Sequence, residues 1–187
     1  MKTDLELVQL VLDGEMSAYN DLLFRYEAPI YKFVANIIKS EDIAKDISQE
    51  VFIAAYYKLY TYNKKNKFSS WLFKIAMNKS IDYMRKNRNI QQVDIETAAI
   101  FDKSISPELY AEYKEVKKNL EDFIETLSKT EKHILILRYS YEDLTFNDIG
   151  QILNINDSTV KYKYYKIYDK YKKYISDKKG VTPSYEL

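Results

Sequence analysis

Few side chains in this 187-residue chain could make or break a covalent bond. It has no Cys, a single His at position 133 and only three Gly, so a thiolate centre, a nucleophile–base pair and a Gly-rich phosphate cradle all lack their parts. Asp46 and Glu50, with Gln49 beside them, come nearest to a catalytic pair, because positions four apart share a helix face. No nucleophile, His or metal-ligand cluster accompanies them in the sequence, and on their own they read as a solvated face. What the chain offers instead is cations placed beside rings, amides and hydroxyls. One such set lies in FSSWLFKIAMNKSIDYMRKNRN (residues 68–89), with Trp71, Lys74, Asn78, Arg85, Lys86 and Arg88. A second lies in NDSTVKYKYYKI, with Ser158, Thr159, Lys161, Tyr162, Lys163, Tyr165 and Lys166. Rings stack on bases, amides read base edges and cations neutralise phosphates, so the chemistry on offer is recognition of a polyanion. The expectation is a protein without catalytic activity, cofactor or metal.

Charge is distributed accordingly. The chain nets +1, yet residues 1–62 sum to −4, 63–88 to +7, 89–160 to −7 and 161–187 to +5. Two basic blocks, each following an acidic one, suggest two contacts with nucleic acid and acidic surfaces left for other partners. Lys64, Lys65 and Lys67 in the loop TYNKKNK belong to the first block. The absence of a signal peptide and of any apolar run of membrane-spanning length predicts a cytoplasmic protein with no membrane insertion.

Scarce Gly and Pro, with abundant Leu, Ile, Lys and Glu, predict an all-α fold of two small helical domains joined by a linker. Apolar residues at helical spacing run from Leu5 to Val11, break at Asp13-Gly14-Glu15, and resume from Leu22 to Ile37, with Pro29 marking a kink or a fresh start. Ser40 followed by two acids opens a third helix, and residues 68–89 form a fourth. On a helical wheel that fourth helix is apolar on two sectors, Phe68, Leu72, Ile75 and Ala76 on one and Phe73, Met77, Ile81 and Met84 on the other. The strip Trp71–Lys74–Asn78–Arg85 is left between them. Trp71 borders the apolar sector and reads equally well as core or as a stacking ring.

These helices make a first domain over residues 1–89. Residues 90–105 lack a sustained period and read as a linker, and 106–176 form the second domain, followed by a tail over 177–187. Ser106-Pro107-Glu108 starts its first helix, and Ser128-x-x-Glu131 and Thr145-x-x-Asp148 are capping boxes for the next two. The last two helices have the pattern of a helix-turn-helix. Gly150 stands where the helices cross closely, Asn154 where the turn needs a left-handed residue, and Ile155 and Val160 where the second helix packs back on the first. Along that second helix Val160, Tyr164, Ile167, Tyr171 and Ile175 form the buried stripe, leaving Lys and Tyr outside it. A Lys-rich face alone reads as ordinary solvated surface; the helix-turn-helix pattern ahead of it favours a DNA groove.

At this point the residues resemble a family. AKDISQEVF, FSSWLFKIAMNKSIDYMRKNR and SPELYAEYKEVKKNLEDFIETLSKTEKHILILRY, followed by the helix-turn-helix, are similar in this order to regions 2.2, 2.3–2.4 and 4 of extracytoplasmic-function (ECF) sigma factors, the two-domain branch of the sigma-70 family. The resemblance implies a subunit that binds core RNA polymerase and directs promoter-specific initiation. Asp46, Gln49 and Glu50 would meet the β′ clamp helices, and region 4 the β flap. Lys64, Lys65, Lys67, Trp71, Lys74, Asn78, Arg85, Lys86 and Arg88 would open and read the −10 element of promoter DNA. Ser158, Thr159, Lys161, Tyr162, Lys163, Tyr165 and Lys166 would hold the −35 element. An anti-sigma factor is a partner the family commonly has. The chain departs from the family pattern at Ser128, Gly150 and Asn154 and in the Lys and Tyr of its last helix. The alternative reading is a stand-alone helix-turn-helix regulator.

Overall fold

A computed structural model describes residues 2–87 and 107–179, with the side chains of 107–113 and 179 excepted. Every regular element among the described residues is a helix: α1 (Asp4–Leu12), α2 (Ser17–Ile38), α3 (Glu41–Lys58), α4 (Phe68–Lys86), α5 (Pro107–Thr126), α6 (Lys129–Ser140), α7 (Phe146–Leu153) and α8 (Asp157–Lys179), with a short 3-10 turn at Leu59–Thr61. The expected linker over 90–105, Arg88 and residues 180–187 lie outside the described residues. The final helix continues to Lys179, beyond the end near Ile175 that its apolar stripe suggested.

Two compact units arise, Met1–Ile95 with Ile136–Val160, and Glu96–Leu135 with Lys161–Leu187. In the first, α1 to α4 surround a core of Leu7, Leu22, Tyr26, Ile30, Phe33, Val34, Leu72 and Phe73, each at most 1 % exposed. Thr3 and Glu6 form a capping box at the start of α1, satisfying backbone donors that would otherwise lack partners. The Asp4 carboxylate then takes hydrogen bonds from Arg25 and from the buried Tyr26 hydroxyl, tying α1 to α2. Gly14 turns the chain with φ +100, a conformation that a Cβ disfavours.

Of the two readings of Pro29, a kink or a fresh start, the second is excluded: Pro29 lies inside one continuous helix. Proline removes one backbone donor and crowds the preceding turn. Here Leu22 and Tyr26 before it, and Ile30, Phe33 and Val34 after it, are buried in the same core, and that burial outweighs the local cost.

In the second unit Phe123, Leu127 and Ile167 form the core, with Leu135, Tyr171 and Tyr174 packed around them. The Phe123 ring stands 5.1 Å from that of Tyr171 and 5.5 Å from that of Tyr174. Ser128 and Glu131 close the expected capping box, the Ser128 amide donating to Glu131 Oε2 at 2.9 Å. The other Glu131 oxygen accepts from Lys170 at 2.7 Å. Burial alone would raise this carboxyl; the hydrogen bonds from Lys170 and Ser128 outweigh it and hold the pKa down at about 2.

Candidate functional site

α3 presents the first surface. Its apolar side, Ala44, Ile47, Val51 and Ala55, is buried, which turns Asp46, Gln49 and Glu50 outward. Glu50 takes an ion pair from Lys79 at 2.8 Å on the exterior. At 3.6 residues per turn the same face continues through Ile53 and Tyr57, which are 58 % and 71 % exposed. The sequence reading missed these two. Their signal was present in AKDISQEVFIAAYY: Ile53 falls off the Ile43–Ile47–Val51 stripe, so its apolar side chain had no core to enter.

The second surface is α4 with the loop before it. Tyr62, Phe68 and Trp71 make a cluster of three rings with centroids 5.6 Å apart in each pair. Trp71 is half-buried at its edge, so one part packs and the other meets solvent. Asn78 is exposed, as are Lys65, Lys86 and Arg85, the last paired with Asp82 at 3.0 Å. Lys64 donates to Gln9 of α1.

Two of the predicted cations are engaged elsewhere. The Lys67 amine lies 3.1 Å from Asp148 Oδ2 and donates to the Asp143 carbonyl at 2.9 Å. Lys74 donates to the Gln151 carbonyl at 3.0 Å and to Asn154 Oδ1 at 2.9 Å. The strip expected to stand open along its length therefore has α7 against its N-terminal part.

α7 is built as the sequence implied. Thr145 and Asp148 form its capping box, and Asn154 ends it in the left-handed conformation with φ 57. Gly150 is indispensable to the turn, since a Cβ there would stand 2.7 Å from the Ile155 carbonyl oxygen. Asp148 is 4 % exposed and its two oxygens are saturated: Oδ1 accepts from Ser70 at 2.8 Å, and Oδ2 from the Thr145 amide at 2.8 Å and hydroxyl at 2.6 Å as well as facing Lys67. Burial by itself would raise this carboxyl. Hydrogen bonds from Thr145, Ser70 and Lys67 prevail and hold it below the ordinary aspartate range.

α8 carries the third surface. Val160 and Ile167 are buried, while Ser158, Lys161, Tyr162, Tyr165 and Lys166 are exposed and Thr159 and Lys163 half-buried. Lys166 sits 5.3 Å from the centre of the Tyr162 ring, and four residues apart the motif recurs with Lys172 4.6 Å from that of Tyr168. The second pair also went unnoticed in the sequence. Each cation is thereby held against a ring at helical spacing.

Among the described residues no group of three or more His, Asp or Glu could hold a metal ion, and no helix is long and apolar enough to cross a membrane. His133 is half-buried, and burial lowers its pKa.

Comparison with known proteins identifies two family regions along the chain. Residues 22–90 match the model for sigma-70 region 2, and residues 123–166 that for sigma-70 region 4. The chain is 30 % identical to the ECF RNA polymerase sigma factor SigW of Bacillus subtilis over 163 residues, 82 % of this chain and 87 % of that one. It is 29 % identical to the ECF RNA polymerase sigma-E factor of Haemophilus influenzae over 168 residues, 85 % of this chain and 88 % of that one. The fold is shared with the sigma factor RpoE of Bartonella quintana, solved with the anti-sigma factor NepR, at a TM-score of 0.61 and 19 % identity over 84 % of this chain and 96 % of that one. It is shared too with CnrH, solved with the cytosolic domain of CnrY, at a TM-score of 0.65 and 17 % identity over 91 % of this chain and 96 % of that one. The chain belongs to the ECF RNA polymerase sigma factors of the sigma-70 family.

Proposed function

We propose that this sigma factor docks on core RNA polymerase through the outward face of α3, opens and reads a −10 element with the loop before α4 and with α4 itself, and grips a −35 element with the start of α8. In this reading residues 1–89 act as region 2, 106–176 as region 4 and 90–105 as the connection. The protein works in the cytoplasm and without catalysis of its own, lending sequence specificity to an enzyme that lacks it. An anti-sigma factor is a further partner, as in the similar complex of RpoE with NepR.

The observation that carries the reading is the α3 face. Asp46, Gln49 and Glu50 are exposed in line with Ile53 and Tyr57. An exposed Ile and Tyr bordered by carboxylates is the composition of a protein interface, apolar at its centre and charged at its edge. Such a face fits a basic, partly apolar helical partner such as the β′ clamp helices.

The test is a pull-down of core polymerase with Asp46→Lys combined with Glu50→Lys. Both positions are exposed, so the fold should persist by circular dichroism. Affinity for core polymerase should fall about tenfold or more, because a complementary charge becomes a repelling one. Core binding at the wild-type level, in a variant of intact fold, removes α3 from the interface.

A further inference from the structure

The proposed function uses the start of α8 and leaves its second half unassigned. α8 runs 23 residues, about 35 Å at 1.5 Å per residue, whereas a major groove is only about 12 Å wide. One side of the second half packs, with Ile167 buried and Tyr171 and Tyr174 set against Phe123. On the other side Lys161, Tyr165, Tyr168 and Lys172 are all exposed. At 100° per residue these four fall within about 60° of arc, so they make a straight row along the helix.

A face made only for solubility has no need of rings. Lys, Glu and Gln are better helix formers than Tyr, yet Tyr165 and Tyr168 stand in this row 60 % and 57 % exposed. The Lys172 amine lies 4.6 Å from the centre of the Tyr168 ring. The ring fixes the position of the amine, and an ammonium over a ring keeps N–H donors for a further partner. Lys172 comes about three turns, or about 16 Å, after Lys161 along the axis. A helix that crosses a groove of about 12 Å with Lys161 at one phosphate wall therefore brings Lys172 to the other. Asp169 stands exposed beside the row. Its carboxylate repels a phosphate, which confines the approach to the edge that carries Lys172.

We infer that the second half of α8 is a further DNA contact, in which Lys172, carried on the Tyr168 ring, holds a backbone phosphate on the groove wall opposite the one met by Lys161. This rests on the proposed placing of the start of α8 in the −35 groove. Phosphates are common to every base sequence, so the contact adds affinity at any promoter and leaves the choice of −35 element to the start of the helix.

The test uses holoenzyme and duplex promoters in which single phosphates around the −35 element are replaced by uncharged methylphosphonates. Lys172→Met keeps an aliphatic stem and removes the charge. It should lower the salt slope of log K by about 0.9, which amounts to about fivefold in affinity at about 0.15 M salt relative to 1 M. One methylphosphonate that weakens the wild type should no longer weaken Lys172→Met, and it should differ from the one to which Lys161→Ala becomes insensitive. Asp169→Asn should bind more tightly than wild type, by a margin that shrinks as salt rises. Lys173→Met, equal in charge and about 100° round the helix, should stay sensitive to the phosphate that Lys172 meets. If Lys172→Met, with intact circular dichroism, keeps the wild-type slope and sensitivities while Lys161→Ala loses its own, the second contact is overturned and the −35 reading of the helix start stands. If neither variant loses sensitivity to any phosphate, both are overturned. A loss in Lys172→Met that is equal on every template, or that Lys173→Met reproduces, overturns the specific phosphate contact and makes this half of α8 a face for protein or a diffuse charge.

Discussion

α3 and α4 are adjacent helices of one core and treat their outward faces in opposite ways. α3 leaves Ile53 and Tyr57 more than half exposed beside Asp46 and Glu50. α4 has Ser70 buried under α7, and Lys67 and Lys74 bonded to it. An apolar–acidic face has no ready substitute within the molecule, because its complement is a shaped protein surface. A row of cations is complemented by any well-placed carboxylate or helix C-terminus, and this chain supplies both. The lesson is that a row of cations can be covered by the protein's own groups more easily than an apolar–acidic face.

The largest expected effect that sharpens this contrast comes from Gly150→Ala. The new methyl would stand 2.7 Å from a backbone oxygen that cannot rotate away, at a cost of about 2–4 kcal/mol. Urea unfolding should show the loss, and −35 binding should fall while core polymerase binding through α3 survives. Loss of both together would mean that the two faces are not independent.

Asn78→Ala comes next. The side chain is exposed and no α7 group bonds it, so it remains available even when Lys67 and Lys74 are occupied. If its amide reads a base edge, discrimination at the −10 element should fall by about 1–3 kcal/mol, measured by run-off transcription from duplex templates carrying −10 variants. Transcription equal to wild type across that set would take Asn78 out of the site.

The α4–α7 contact should also depend on pH while the α3 face keeps its fold. Asp148 has a folded pKa below the ordinary aspartate value. Its contribution is therefore fully present above the unfolded value near 3.8 and is lost as pH falls through the lower folded one. A carboxyl titration by NMR should place the Asp148 midpoint below 3.8, and Lys67→Met should move it upward. A midpoint unchanged by Lys67→Met would show that Lys67 is not a partner in solution.

The smallest effects belong to α8. Lys161→Ala, Lys163→Ala and Lys166→Ala should each reduce the salt slope of log K for holoenzyme–promoter binding by about 0.9 if each meets a phosphate. Ser158 and Thr159, nearer the helix start, should instead shift preference among −35 variants. Three unchanged slopes would make this face a docking surface for protein.

Local chemistry was legible in the order of residues. The capping boxes at Ser128–Glu131 and Thr145–Asp148 were readable because a hydroxyl and a carboxylate three apart satisfy backbone donors whatever surrounds them. Asn154 and Gly150 were readable because a left-handed residue and a missing Cβ are demands of the turn itself. The partition of charge pointed to polyanion sites for the same reason: Coulomb attraction needs no fold to be counted.

Tertiary structure alone decided the rest. Periodicity shows that Ser70 and Lys74 lie near one edge of α4, but not that Asp148, 78 positions after Ser70, would meet them. Pro29 read as a kink or a fresh start, and burial of the residues on both sides in a common core decides for one continuous helix. Asp148 read as a cap, and it is one; that its second oxygen also accepts from α4 depends on two helix surfaces fitting together. Caps, turns and charge are properties of a few neighbouring residues. Which cation finds which anion across a packed interface is settled by the shapes of whole helices, and no stretch of sequence contains that shape.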